Sequence, residues 1–397
     1  MNNALLRWVH LSLYGRILLS SSFALAGGYD TGEQNWDFLF QQERAAFEAE
    51  TKYISPQREL KNVRNINPFI PVSPNASDNV RETSSFYVNR VSLAFRPTDG
   101  FGCLASYRQP WAGYADYGND WVGAFSAIRQ DFTSVDYGLT CSISSNLETG
   151  RLHFLAGLSH QEIEYVLTRN SPFGLSETRV TDSDIGWRLG VAYEIPEYAL
   201  RASLIYNSQL DFDPSGTVSF ASIPTVIPVA GSMSLPQSAE LKLQSGIAPG
   251  WLAFGNAKWT DWSVLDEMTI CPVSAPQCNQ ATAVSGLTLL WEDTWTLTAG
   301  AAHQFSEAFS IAGHVTWDQG ASEGFTSQTD TWNFGLTTIS NPLPNLEIKL
   351  GGSVGVLTGG SLSTANLAGG TVNPVGYTAT FDDDLVYTLN ASLKLEF

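Results

Sequence analysis

From Glu48 onward the chain alternates between two kinds of connection. Runs whose side chains switch between apolar and polar with a period of two are joined by a very short turn, then a long segment, then a short turn again. The short turns fall at 97–100 (PTDG), 147–150 (LETG), 195–198 (IPEY), 248–250 (APG), 306–308 (SEA) and 341–345 (NPLPN). They carry the Gly, Pro, Asn, Asp and Ser that tight turns require. The long segments run over 55–83, 110–132, 166–183, 213–236, 264–284, 318–330 and 357–383. Two sheets packed in water have no reason to sort their loops by length. A barrel in an outer membrane does, because its turns on one side of the bilayer are short and its loops on the other are long.

The runs themselves have the matching two faces. In DIGWRLGVAYEIP, Ile185, Trp187, Leu189, Val191, Tyr193 and Ile195 share one face, while Gly186, Arg188, Gly190, Ala192 and Glu194 share the other. In TLNASLKLEF, Leu389, Ala391, Leu393, Leu395 and Phe397 alternate with Asn390, Ser392, Lys394 and Glu396. The apolar parity suits lipid and the polar parity suits a lumen. Counting runs gives an all-β, antiparallel transmembrane barrel of about fourteen strands over residues 46–397. The first strand, 46–54, then closes against the last, 385–397, so that no edge is left open. The stretch 285–305 is long for one crossing but is assigned to a single strand, because splitting it would break the alternation of connections.

Charged residues are only 15% of the chain, with 34 Gly, 12 Trp, 14 Tyr and 21 Phe, which suits a large surface that avoids charge. The formal charge is −18, so nucleic acid is not an expected partner. Residues 1–26 read as a secretory signal: Arg7 and Arg16, an apolar stretch from Ile17 to Leu25, and Ala24 and Ala26 at the cleavage site. Residues 27–45 form a short segment ahead of the barrel, with the potential to plug it. Cys271 and Cys278 enclose a short loop that a disulfide could clip, and Cys103 and Cys141 lie in neighbouring strands where pairing is open. Trp251, Trp259, Trp262, Trp291, Trp295, Trp317 and Trp332 gather near strand ends, as an interfacial girdle would.

No catalytic constellation emerges. There is no GxSxG elbow, and His153, His160, His303 and His314 read as lumen or turn residues rather than bases. No metal site or cofactor is expected; the carboxylates Asp382, Asp383 and Asp384 read as a solvated charge run. The segment 213–236 is more informative. It holds Phe220, Ile223, Val226, Ile227, Val229, Met233 and Leu235 with no charge after Asp213, so it must bury itself at the barrel mouth or bind something apolar.

The stretches SLPQSAELKLQSGIAPGWLAFGNAKWTDWSVLDEM (234–268) and GWRLGVAYEIPEYALRASLIYNSQLDFD (186–213), with the closing LVYTLNASLKLEF, resemble the FadL-type long-chain fatty-acid transporters of Gram-negative outer membranes. The resemblance implies a fourteen-stranded barrel closed by an N-terminal hatch, with passive inward transport of long-chain fatty acids or similar hydrophobic molecules. It also implies capture among extracellular loops and exit in part through an opening in the wall. The front of the chain departs from that pattern: GGYDTGEQNWDFLFQQERA is short, and the nearest echo of the family's Asn-Pro-Ala element, Asn67 and Pro68, lies beyond it. A carboxylate head group in the lumen would need a cation, for which Arg188, Arg201, Lys242 and Lys258 are candidates. Aromatic hydrocarbons are the alternative cargo; a lipid-modifying enzyme or an adhesive barrel are readings of another class. Expected partners are the hydrophobic ligand, outer-membrane lipid and lipopolysaccharide, and the barrel assembly machinery, which would recognise Phe397.

Overall fold

The structure is a computed structural model and describes residues 29–397 except 33, 42, 280, 281, 323, 364, 368, 369 and 373–375. The expected leader, 1–26, lies outside the described residues. Twenty strand segments form one closed antiparallel sheet with fourteen strand positions. We number these β1 (Ala45–Pro56), β2 (Phe86–Thr98), β3 (Phe101–Arg108 continued by Ala112–Asp116), β4 (Arg129–Asn146), β5 (Arg151–Ser171), β6 (Gly174–Ile195) and β7 (Leu200–Asn207, Leu210–Phe212 and Ser215–Phe220). The second half holds β8 (Ile223–Leu235 and Ser238–Ala248), β9 (Trp251–Thr260 and Glu267–Pro272), β10 (Ser285–Thr288 and Thr294–Ser306), β11 (Phe309–Asp318), β12 (Thr331–Leu343), β13 (Leu346–Leu357) and β14 (Asp384–Glu396). The ring closes between β1 and β14 in the register Ala46↔Glu396 to Pro56↔Val386.

Parity puts the apolar face outward. Ile185, Trp187 and Leu189 of β6 are exposed at 66%, 46% and 53%, while Arg188 between them is buried. In β14, Leu389 and Leu393 point out, and Thr388, Ser392 and Lys394 point in. Such exposure would be a liability in water; against lipid it is the solvated state.

The long connections are more ordered than their composition suggests. Two of the expected loops are not loops: β5 and β6 run on to a two-residue turn between Ser171 and Gly174, and 213–236 is a hairpin that pairs with β6 on one side and with Glu267–Pro272 on the other. The reason is visible in β6. Below Asp184 in the numbering its outward residues become Glu177, Arg179 and Thr181, because the wall there meets water, while Ser176, Thr178 and Val180 still face in. The apolar-out signature ends at the lipid boundary, but the strand does not. The 285–305 stretch occupies a single position, broken at 289–293, where Leu290 takes a positive φ of 51°.

Above the mouth, Glu59–Asn65 pairs with Tyr377–Phe381 and Val80–Arg81 in a small capping sheet. Its underside packs Leu60, Val63, Leu362, Ala379 and Phe381 against Trp121, Ala124 and Ile128. Arg58 fastens this cap. It is 2% exposed, donates to the carbonyls of Asp382 (3.0 Å) and Thr358 (3.1 Å) and to Thr329 Oγ1 (3.0 Å), pairs with Asp384 (3.2 Å), and lies 4.5 Å over the Phe381 ring. Disulfides join Cys103 to Cys141 across β3 and β4, and Cys271 to Cys278.

Candidate functional site

The barrel lumen is filled in its lower half by charge and by the segment that precedes β1. Trp36–Leu39 form a short 3₁₀ turn, with Trp36 and Phe38 almost fully buried against wall residues Leu104, Leu155 and Ile205. Each of three aromatic rings meets a cation from the wall: Trp36 under Arg188 (5.1 Å), Phe38 under Lys394 (5.5 Å) and Phe40 under Arg201 (4.8 Å). Contacts of that kind are worth about 0.5–2 kcal/mol each, more when desolvated. Polar contacts add direction. Asn35 donates to Glu48 (3.1 Å), Gln34 to Ser92 (3.0 Å), Arg201 to Asp37 (3.0 Å) and Lys258 to Asp30 (2.5 Å).

This places the four cations singled out as head-group candidates. All face the lumen and all are engaged: Arg188 with Asp136 (3.2 Å), Arg201 with Glu194 (3.2 Å) as well as Asp37, Lys242 with Glu240 (2.9 Å), and Lys258 with Asp30. Buried charges of this kind persist only when paired, because each would otherwise be stripped of water without compensation.

The segment also joins the wall where the wall is irregular. β3 breaks at Gln109–Trp111, because Pro110 has no N–H to give to the ladder. Thr31 N donates to Pro110 O (3.0 Å) and Ala112 N to Tyr29 O (2.9 Å), so the lumenal segment supplies backbone partners that the strand lacks. Trp111 swings inward and meets Trp262 edge-on, with centroids 5.1 Å apart.

Above this lies an aromatic interior. Tyr29, Trp111, Phe132, Tyr165, Trp262 and Trp291 pack with Phe212, Met233, Leu235 and Met268 in the largest apolar cluster of the molecule's upper half. Trp262 and Trp291 do not belong to a lipid girdle, as their position near strand ends suggested. Both sit in irregular segments, where strand parity no longer assigns a face, and both turn inward. Trp251, Trp295 and Trp332 point outward, each nearly half exposed, and Trp259 and Trp317, directly opposite Trp295 and Trp332 in the ladder, share that face. Of the apolar residues of 213–236, Val229, Met233 and Leu235 enter the interior cluster, and Phe220 and Ile227 pack against it; Ile223 and the exposed Val226 stand at the outer tip.

Between interior and cap is a cavity of about 170 Å³. Tyr29 and Trp291 line its inner end, Phe86 and Tyr114 its side, and Arg58, Glu82 and Tyr377 of the cap region its outer end. Tyr29 reaches this position because residue 113 is Gly; a Cβ there would collide with the Tyr29 ring. Glu82 accepts a hydrogen bond from Tyr117 Oη at 3.2 Å, and burial holds its carboxyl above the usual range. Sequence reasoning passed over Glu82, Tyr29 and Phe86, which lie in a loop, ahead of the barrel and at a strand end; no periodicity marks them.

His153 faces Glu194 (3.1 Å) and the Phe40 ring, and among the described residues no cluster of His, Cys, Asp and Glu has the arrangement of a metal site.

These features define a transmembrane β-barrel with its lumen occupied by its own chain and a largely apolar pocket beneath the cap. The chain belongs to the outer membrane protein transport family (OMPP1/FadL/TodX), whose model matches residues 19–329. Among solved structures it is similar to a Pseudomonas aeruginosa FadL homologue (14% identity, 98% of each chain, TM-score 0.78). It is also similar to the Ralstonia pickettii toluene transporter TbuX (13%, 97% of this chain and 99% of that, 0.64) and the P. putida toluene transporter TodX (13%, 97% and 99%, 0.62). No curated protein matches the sequence. The protein is thus an outer-membrane barrel of a family that transports hydrophobic compounds.

Proposed function

We propose that the barrel carries neutral hydrophobic molecules inward by diffusion, from the extracellular hairpin tips into the pocket beneath the cap and on through the lumen once residues 29–41 withdraw. One observation carries this reading: the pocket is walled by aromatic rings and floored by Tyr29, which belongs to the lumenal segment and also touches the aromatic interior. A ligand that pushes Tyr29 aside therefore disturbs the segment that fills the lumen. Phe220, Ile223, Val226, Ile227, Val229, Met233 and Leu235 supply the apolar approach, and the break in β3 is the proposed place of release.

Single-ring compounds fit the pocket better than long chains do. A cavity of about 150 Å³ is enough to hold benzene, close to the volume here. Long-chain fatty acids are the second cargo, with Arg188, Arg201, Lys242 or Lys258 taking the head group after the segment leaves. We also propose that no catalytic step is involved, and that Phe397, 70% exposed on the outside, is the contact for the barrel assembly machinery. The test is uptake of labelled toluene and oleate by cells with and without the gene, with a short-chain acid as control. Gene-dependent uptake of either hydrophobic compound is expected; no change in both overturns the proposal.

A further inference from the structure

The pocket has a polar end that an apolar hydrocarbon would leave unused. Glu82 Oε1 receives the Tyr117 hydroxyl, but Oε2 is buried beside Ser327 without a hydrogen bond of ordinary geometry, and the neighbouring Thr83 Oγ1 is likewise buried without a partner. Both residues line the cavity. A buried acceptor without a donor costs free energy, so each such atom in a native structure asks for an explanation. The inner end and the side are made of Tyr29, Trp291 and Phe86, and they offer ring faces and edges.

Among the described residues the one cation lining the cavity, Arg58, is spoken for. Its two terminal nitrogens donate to five oxygens of the cap and of the 327–358 region besides Asp384, and its flat face rests on Phe381. An ionised carboxylate entering here would lose its water beside the Glu82 carboxyl group and find no free guanidinium. A neutral hydrogen-bond donor would lose little and gain a partner.

We propose that the pocket selects single-ring aromatic compounds bearing a hydroxyl group, Glu82 accepting the hydroxyl hydrogen while Tyr29, Phe86 and Trp291 enclose the ring. This rests on the transport reading above and narrows its substrate class. The hydrogen bond to an acidic acceptor sets the preference over the bare hydrocarbon, and the ring walls set the preference over aliphatic alcohols.

The experiment is binding of p-cresol, toluene and p-toluate to the purified full-length barrel in detergent, followed by calorimetry. Folding of each variant is checked by its heat-dependent gel mobility. Wild type is expected to hold p-cresol several-fold tighter than toluene, the range of one hydrogen bond, and to bind p-toluate more weakly than either. In Glu82→Leu the p-cresol to toluene ratio should fall to within about twofold of unity, whereas Glu82→Gln, which keeps an acceptor oxygen, should retain part of it. Should the leucine variant fail to fold, the glutamine variant alone still reads the ratio. Equal affinities for p-cresol and toluene in wild type overturn the inference, as does p-toluate binding as tightly as p-cresol, or a ratio unmoved by both substitutions. If these fail while cells with the gene still take up toluene faster, the transport reading stands and the selectivity falls. Gene-independent uptake with a Glu82-dependent ratio does the reverse.

Discussion

Gly113 and Arg58 hold the pocket from opposite ends, and each does so through a contact that tolerates little change. Gly113→Ala puts a methyl group into the Tyr29 ring, so the ring must leave the floor of the cavity; toluene affinity is expected to fall several-fold, read by calorimetry on the folded barrel. Arg58→Met removes the partner of Asp384 and of several buried carbonyls, a loss of about 3–5 kcal/mol for a buried pair. Its effect should appear as faster hydrogen exchange in Glu59–Asn65, with the transmembrane strands unaffected. Glu82 gives a pH signature at the same place. Burial raises its carboxyl above the usual range despite Arg58, the Tyr117 hydroxyl and Ser327 nearby, with Asp384 also pushing it up. The neutral form is thus favoured by the fold, and that contribution to the cap is lost as pH rises through the raised value. Exchange protection of Glu59–Asn65 in Glu82→Gln should therefore come to exceed that of wild type as pH rises, with the gap closing in acid.

At the level of elements, the transmembrane strands were legible and their extensions were not. Period-two alternation identifies β6 from Ile185 to Val191 because lipid demands an apolar outer face; from Glu177 to Thr181 both faces carry polar groups, and the same strand looks like a loop. The hairpin 215–235 differs from its sequence expectation for another reason. Its place among the long connections and its apolar, uncharged composition give no sign of pairing, yet it is paired on both sides and forms part of the wall. Of the candidate site, the lumen cations were visible by parity, whereas their partners Asp30 and Asp37 were not, since nothing in a single sequence tells which wall residue a non-periodic segment will touch. Two experiments belong here. Val226→Asp, at the exposed tip, is expected to lower toluene uptake with normal barrel yield, whereas Val229→Asp buries a carboxylate in the aromatic interior and should lower the yield itself. Arg201→Ala removes a pair to Asp37, a pair to Glu194 and the cover of Phe40 at once, and planar-bilayer recordings should show more frequent openings than in wild type.

The whole molecule is organised by which solvent each surface meets. Lipid takes the apolar parity, the lumen takes paired charges, and water takes the polar extensions and the cap. The Cys103–Cys141 bond adds little to this arrangement. The two residues stand directly opposite each other in a ladder that already joins β3 to β4 from Phe101↔Ile143 to Arg108↔Asp136, so the loop that the bond closes is closed without it. Reduced protein is expected to keep its heat-dependent gel shift. The seam between β1 and β14 has the larger consequence. Ala45 and Phe397 exchange two backbone hydrogen bonds there, of 3.3 and 2.8 Å, and the segment inside the lumen leads straight into β1. Pairing residues so far apart along the chain is slow compared with forming hairpins, so the thirteen pairings between neighbouring strands can zip together while the cylinder still gapes. The lumenal segment is tied to one lip of that gap and stands beside it until the lips meet. Enclosure during assembly rather than threading afterwards is the expected route, with the segment serving as a template around which the wall shuts.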